Sequence, residues 1–204
     1  MDEIGLFPLG MVLLPTERAP LHIFEERYKE LIGECLEREE EFGVVLADDE
    51  GIRDVGTRAA VVDVLERFED GRLNVVVEGR ERFRIVSLTG GRSFRTADVE
   101  PVDDVDAAAD QAEVARAVAN LRRVAELAGA DTDDLEPVTA APSFELAARV
   151  ELEPRLKQGL LESRSESERL RRLVRLLDGA ADALAARAER ARVAASNGHV
   201  KLRP

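Results

Sequence analysis

The chain has 204 residues, of which 45% are apolar and 35% charged, and its formal net charge is −13 at pH 7. This composition fits one large or two small globular domains, and the negative charge disfavours polyanionic partners such as nucleic acid. No apolar run approaches the roughly 20 residues of a membrane helix. The single cysteine, Cys35, excludes an intramolecular disulfide and favours a reducing cytoplasm, while the excess of arginine over lysine is typical of a GC-rich bacterium.

The first 40 residues predict a strand, a turn and a helix. Residues 4–14 form the candidate strand, and Pro8 marks it as an edge or broken strand. Residues 21–24 add a short extended piece after the turn. An amphipathic helix is then predicted by six apolar residues at helical spacing: Phe24, Tyr28, Leu31, Ile32, Cys35 and Leu36.

From residue 42 the pattern has the period of strands. Predicted strands cover residues 42–47, 57–68, 73–77, 81–85 and 94–102, with a break at Gly79, and Asp70-Gly71 between two of them is a strong hairpin signal. Gly71 and Gly79 fit positions of positive φ or a β-bulge. Five or six antiparallel strands with one early helix predict a small barrel or sandwich closed by a helix.

After residue 103 the pattern is helical. The acidic stretch at 103–106 is predicted to cap a helix over residues 107–128, and prolines open helices near 142–150 and 154–163. Ser165 with Glu168 fits the capping box of a long final helix. The fold class is therefore α+β, with a β-rich unit at 1–103, a helical unit at 104–195 and a disordered tail at 196–204.

The last 41 residues carry a local excess of positive charge. We interpret their arginines as solvated or paired with the acidic surface of the chain itself, and contact with an acidic partner is the alternative. The arginines concerned are Arg169, Arg171, Arg172 and Arg175.

The sequence offers no constellation for catalysis. It lacks both the phosphate-binding loop and the glycine-rich dinucleotide fingerprint. His22 and His199 have no nucleophile motif around them, and Cys35 belongs to the apolar stripe of the first helix. We therefore predict no catalytic residue, no cofactor and no metal site.

Three blocks of the sequence resemble the N-terminal substrate-binding domain of the Lon protease family. The first block, residues 6–28, contains the proline-bracketed "LFPL", "LHIF" and "ERY" segments. The third, residues 156–177, resembles the helical part of that domain. The second, residues 55–85, matches at Gly56, Thr57, Ala59, Asp70, Gly71, Arg72, Gly79, Arg82, Phe83 and Ile85.

The resemblance implies a PUA-like antiparallel β-barrel with an early helix, followed by an all-α helical bundle. Lon enzymes continue into ATPase and Ser-Lys peptidase domains, which these 204 residues lack. The implied protein is therefore a non-enzymatic, stand-alone module that binds unfolded polypeptide or acts as an adaptor in protein quality control. For Arg82 we expect an ion pair at the surface or a contact with the helical part.

The candidate polypeptide-binding surface lies in the two proline-bracketed stretches and consists of Met11, Val12, Leu14, Leu21 and Ile23. Extended clients offer mainly apolar side chains and backbone groups, so a site for them needs accessible apolar residues. The alternative function is RNA binding, since PUA-like barrels include RNA-binding proteins. Residues 1–101 hold 13 basic and 23 acidic side chains, which disfavours that alternative. The identity of the client and the oligomeric state stay open.

Overall fold

The computed structural model describes residues 2–105, 109–133, 135, 137, 139 and 141–197. The contacts within the chain group it into two compact units. The first comprises Met1–Ala107 and Ala147–Ser165, and the second comprises Ala108–Leu146 and Glu166–Pro204. The sequence placed one boundary at residue 103, whereas in the structure residues 147–165 return to the first unit.

The first unit contains seven strands, close to the predicted five or six. The predicted break at Gly79 is absent, because a single strand of 17 residues runs through it. The strands are β1 (Asp2–Leu9), β2 (Arg18–Ile23), β3 (Phe42–Asp48), β4 (Gly51–Ile52), β5 (Val55–Arg67), β6 (Leu73–Thr89) and β7 (Arg95–Pro101).

Five of these strands close into a barrel in the order β1-β7-β6-β5-β3, with β3 returning to β1. Four of the five pairings are antiparallel, as predicted, and the closing pair β1–β3 is parallel. Strand β2 pairs with β6 alone and β4 with β3 alone. The predicted barrel is confirmed, and its closure depends on a pairing between segments about 40 residues apart.

Strand β1 is shorter than the 11 residues predicted and ends at Leu9. It pairs with β7 over Asp2–Leu6 and with β3 over Leu6–Leu9. Pro8 therefore has a ladder neighbour, Val45, on one side only. A residue that lacks a backbone N–H is tolerated at such a half-paired position.

The early helix α1 (Glu26–Arg38) packs against the barrel and contributes side chains to its hydrophobic core. Its buried residues are the predicted stripe except at its ends: Tyr28, Leu31, Ile32 and Cys35 are buried, Leu36 is half-buried, and Phe24 is exposed. Phe24 escapes burial because the helix begins two residues after it.

A second helix of the first unit, α4 (Pro154–Glu162), packs against the barrel. Gln158 Nε2 donates to the Val55 carbonyl at 3.1 Å, and Lys157 Nζ donates to Glu17 Oε1 at 2.5 Å. Arg82 is buried and donates to the carbonyls of Leu161 and Ser163 at 2.8 and 2.6 Å. Its other terminal nitrogen donates to Asp104 Oδ1 at 2.6 Å, so Arg82 anchors the helix rather than lying at the surface.

The second unit is helical and contains α2 (Gln111–Ala128), α3 (Pro142–Ala147) and α5 (Glu166–Asn197). Helix α2 begins at Gln111 rather than 107, because Asp110 is the capping residue and accepts from the Ala112 amide at 2.9 Å. The proline starts of α3 and α4 are confirmed. Helix α5 includes the first two residues of the predicted tail, and residues 198–204 lie outside the described part.

One arginine of the basic end is fully buried within the second unit. Arg169 pairs with Glu166 and donates from Nε to Ser143 Oγ at 2.8 Å. Glu166 in turn accepts from the Ser143 amide and hydroxyl, both at 2.7 Å. The guanidinium also lies 4.3 Å from the ring centroid of Phe144. Pairing with the acidic residues of the chain is thus confirmed for this residue.

Two glycines are required for different reasons. Gly71 takes a φ of 82°, as predicted for the hairpin turn. Gly79 lies beside a register shift but outside the positive-φ region, so the predicted left-handed backbone is wrong there. A Cβ at Gly79 would lie 2.1 Å from the Leu14 carbonyl oxygen, so the close passage of residues 13–17 is what requires glycine.

Candidate functional site

No group of three or more potential metal ligands occurs among the residues that the structure describes. Cys35 is a buried, free cysteine, and burial raises the pKa of its thiol to about 11, with Glu40 and Glu34 adding to the shift. A thiol of this kind is a poor nucleophile at neutral pH.

The structure divides the five residues predicted to form the polypeptide-binding surface. Val12, Leu14 and Ile23 are core residues, each at most 3% exposed, and they do not offer a surface in this conformation. Met11 and Leu21 are half-buried and pack against the same core. The place of Val12 and Leu14 between prolines predicts exposure, whereas the structure buries them, and Leu14 packs so closely on β6 that its carbonyl oxygen would lie 2.1 Å from a Cβ at Gly79. A role for Met11 and Leu21 in contacting polypeptide stays a prediction.

A cluster of three rings, of which His22 and Phe24 are exposed and Phe68 is half-buried, lies where β2 meets the tip of the β5–β6 hairpin. The ring of His22 lies 5.9 Å from that of Phe24 at an interplanar angle of 22°, and 6.1 Å from that of Phe68 at 83°. Arg72 lies over the Phe68 ring, with its guanidinium carbon 4.8 Å from the ring centroid. We call His22, Phe24, Phe68 and Arg72 the aromatic patch. Phe24 is its most accessible apolar member, 59% exposed.

Hydrogen bonds hold the patch in place. The Phe68 amide donates to the Arg72 carbonyl at 2.9 Å, and the Gly71 amide donates to the Phe68 carbonyl at 3.0 Å, which closes the turn. Two hydrogen bonds from Arg72 hold the pKa of the Asp70 carboxyl below its usual range. The bond from the Arg72 backbone amide has the larger effect, and the bond from the side chain adds to it. Lys29 of α1 donates to the Asp70 carbonyl at 2.9 Å, so the helix steadies the hairpin tip.

The polar side of the patch orients His22. The ring donates from Nδ1 to Asn74 Oδ1 at 2.6 Å, and Asn74 Nδ2 donates to Glu66 Oε2 at 3.1 Å. The three residues lie in one row across β2, β6 and β5, since His22 faces Asn74 and Asn74 faces Glu66 in the register. A fixed imidazole gives Phe24 a rigid neighbour to stack on.

Two β-bulges place further apolar side chains on the same hairpin. The register between β5 and β6 shifts between Val61 and Asp63 and again between Val64 and Glu66. The extra residues, Val62 and Leu65, are 38% and 58% exposed. Bulges redirect side chains in this way, and they also interrupt the regular ladder. The hairpin end thus combines the aromatic patch with two exposed aliphatic residues.

Sequence reasoning missed most of this site. The helical spacing predicts Phe24 in the buried stripe of α1, and the strand pattern predicts Phe68 only as the last residue of a strand. The one available signal was the Asp70-Gly71 turn, which fixes the tip of the hairpin but not its neighbours. The bulges at Val62 and Leu65 contain no glycine or proline that would mark them in the sequence.

The comparisons with known proteins agree on one family. The family model described as the ATP-dependent protease La (LON) substrate-binding domain matches residues 3–179, which include all three blocks of resemblance. A Lon protease of Paraburkholderia phytofirmans is 31% identical over 206 aligned residues, covering 92% of this chain and 25% of that protein. A Lon protease of Anaeromyxobacter dehalogenans is 29% identical, covering 86% and 23%. The chain thus spans about a quarter of the length of these relatives.

Solved structures give the same result for the fold. The crystal structure of a Lon N-terminal domain protein from Xanthomonas campestris has a TM-score of 0.68 and 26% identity, covering 85% of this chain and 98% of that one. The N-terminal domain of a Mycobacterium avium complex Lon protease has a TM-score of 0.67 at 19% identity, covering 87% and 98%, and supports the fold alone. Over its described residues the chain has no helix long and apolar enough to cross a membrane.

Proposed function

The chain belongs to the Lon substrate-binding domain family, and we propose that it binds unfolded polypeptide through the aromatic patch and the bulge residues Val62 and Leu65. The observation that carries the proposal is the accessibility of Phe24 at the end of β2 and of Val62 and Leu65 in β5, the strand that forms the neighbouring hairpin with β6. Scattered exposed apolar residues need no explanation, whereas several at one place on an ordered scaffold indicate an interaction site.

The chemistry of the patch suits a partner of variable sequence. Aromatic and aliphatic side chains contact any apolar client residue, and the guanidinium of Arg72 already lies over a ring of the patch. Full burial of one large apolar side chain contributes roughly 1.5–3 kcal/mol, and only part of each is exposed here. After the cost of association we expect micromolar affinity, on the order of −8 kcal/mol.

The proposed setting is protein quality control in the cytoplasm, where the module holds clients as part of a protease or as an adaptor beside one. A free, unoxidised Cys35 supports a reducing compartment. Only the substrate-binding domain of Lon is matched over these residues, so we propose binding without turnover. Hydrolysis of ATP or of an unfolded protein that persists through repeated purification, and that a point mutation abolishes, would contradict this part.

The test compares native and permanently denatured forms of one fluorescently labelled protein, the latter reduced and carboxymethylated. We expect micromolar binding of the denatured form only, and nearly the same affinity in 1 M salt, where charges are screened beyond about 3 Å. Capture of RNA with a steep salt dependence would instead favour the alternative function.

Matched variants locate the site. Leu65→Ser and Phe24→Ser should each weaken binding of the denatured protein about tenfold, equivalent to about 1.4 kcal/mol. Leu88→Ser is the control, because Leu88 is 55% exposed and lies at the other end of β6. Equal losses for Leu65→Ser and Leu88→Ser would refute the location, and equal affinity for native and denatured protein would refute the function.

A further inference from the structure

A cavity of about 520 Å³ opens beside β5, away from the aromatic patch residues. Its walls are the last turn of α1 at Cys35 and Leu36, the acidic segment Glu39–Glu41, and Ala60 and Val61 of β5. Its volume lies within the roughly 300–1,000 Å³ of typical ligand pockets. Its floor is apolar, since Leu36 and Val61 both pack against the core from this side.

The cavity lies where β5 loses one of its two neighbours. Strand β3 pairs with β5 only from Val44↔Thr57 to Phe42↔Ala59. Beyond Ala59, β5 continues to Arg67 with β6 as its only ladder partner within the described residues. The N–H and C=O of alternate residues in an antiparallel strand point away from its partner, so one of the adjacent residues Ala60 and Val61 directs an unpaired N–H and C=O toward the cavity side. An added strand would continue the line of β3 past Phe42.

The bulges set the length of any added strand. The first bulge residue, Val62, follows the cavity wall directly and interrupts the ladder. Regular pairing is therefore available only over a short stretch at Ala60 and Val61. A single extended segment of a few residues fits this edge, and a long second sheet does not.

The charge of the walls selects the occupant. Glu39 and Glu41 have no ion-pair partner within the described residues, and Glu40 lies 3.9 Å from Arg38. The cation among the walls, Arg80, shares Glu78 with Arg18, each at 2.6 Å, and it stands against the three carboxylates of Glu39–Glu41. The acidic turn is ordered, because the Glu40 amide donates to the Cys35 carbonyl at 3.1 Å and Glu39 caps the helix. A cationic segment is therefore complementary to the cavity.

We infer that this groove binds a short extended segment of client that carries Lys or Arg next to an apolar residue, and that the segment adds as a strand to β5 at Ala60 and Val61. The inference rests on the proposed function and names a class of client sequence that the aromatic patch does not distinguish. Main-chain bonds supply affinity in such strand addition, and side-chain pockets supply selectivity.

The test uses two labelled hexapeptides, one alternating Lys and Val and one alternating Glu and Val. In about 0.05 M salt the wild-type protein should bind the Lys peptide at least tenfold more tightly than the Glu peptide. The double variant Glu39→Gln/Glu41→Gln should lose that preference. The control Asp49→Asn/Glu151→Gln removes the same charge from exposed positions outside the cavity walls and should change it less than twofold. Equal effects of the two double variants would overturn the inference.

Hydrogen exchange tests the strand addition itself. The Lys peptide should slow exchange of whichever of the Ala60 and Val61 amides faces the groove, and binding that protects neither amide would overturn the proposed geometry. The two proposals fail separately. If denatured protein binds in 1 M salt but the peptides are not distinguished, the groove is wrong and the patch stands. If the peptides are distinguished but denatured protein does not bind, the patch is wrong and the groove stands.

Discussion

Replacement of Gly79 by alanine tests the packing of residues 13–17 against the barrel. A Cβ there would lie 2.1 Å from the Leu14 carbonyl oxygen, a distance that side chains do not adopt. The Gly79 amide donates to the Glu17 carbonyl at 2.9 Å, and its carbonyl accepts from the Thr16 amide at 2.8 Å. The segment is further tied by Thr57 Oγ1, which donates to the Leu13 carbonyl at 2.6 Å.

The clash can be relieved only by moving a segment that these bonds hold. Overpacking costs about 1–3 kcal/mol, and each weakened backbone bond costs roughly 0.5–1.5 kcal/mol. Alanine also lowers the conformational entropy of the unfolded chain, which offsets roughly 0.4–1 kcal/mol of this destabilisation. We therefore expect Gly79→Ala to lower the free energy of unfolding by about 2–4 kcal/mol.

The assay is urea unfolding followed by tyrosine fluorescence. The chain has one tyrosine, Tyr28, and no tryptophan, and Tyr28 lies in the core of the first unit, so its signal reports that unit. With a urea slope of about 2 kcal/mol per M, the midpoint should fall by about 1–2 M. Gly33→Ala is the control: it lies in α1 with nothing within 4 Å of a new Cβ and should be neutral or stabilising. A Gly79→Ala midpoint within 0.3 M of wild type, on the order of 0.6 kcal/mol, would refute the reasoning.

Three further predictions concern buried groups. Because the pKa of Cys35 is raised to about 11, alkylation of the native thiol should be slow at pH 8 and accelerate only above pH 10. The stability that the protonated thiol contributes should be full below pH 9 and fall as pH rises toward 11. Rapid labelling of the native protein at pH 7.5 would contradict this prediction. Arg82→Met should destabilise the first unit by about 2–4 kcal/mol in the Tyr28 assay, since it removes the bond to Asp104 and leaves two carbonyls without their donor. Arg169→Met should lower stability by about 3–5 kcal/mol in thermal unfolding because the buried Glu166 loses its cation, whereas Arg171→Met should cost at most about 1 kcal/mol; similar losses for both would show that the burial of Arg169 is unimportant.

The sequence predicts local structure well where local chemistry decides it. The Asp70-Gly71 turn, the apolar stripe of α1 and the proline starts of α3 and α4 all depend on residues adjacent in sequence or one helical turn apart. Each of these features is present in the structure. The number and spacing of the strands predict a barrel or a sandwich, and the resemblance to the Lon family singles out the barrel.

Features that depend on distant residues could not be predicted in this way. The parallel β1–β3 closure and the return of α4 to the barrel are set by tertiary contacts, such as those of Arg82 with the carbonyls of Leu161 and Ser163 at the end of α4. Arg169 has the sequence context of a solvated charge and is buried only because Ser143 and Glu166 surround it.

The candidate site shows the same limit most clearly. Val12, Leu14 and Ile23 are apolar and flanked by prolines, yet they are buried and belong to the core. Phe24 continues the helical stripe in sequence and lies outside it in space, because the helix begins at Glu26. Exposure is decided by what the rest of the chain covers, and a single sequence does not contain that information in its spacing.

The most direct test of polypeptide binding at the hairpin is an amide NMR titration of the full chain with the carboxymethylated client in high salt. We expect the largest amide shifts at residues 22–24 and 62–72. Phe24→Ser should abolish these shifts, whereas Leu88→Ser should not. Shifts confined to α2 and α5, or shifts of equal size with the native client, would contradict this expectation.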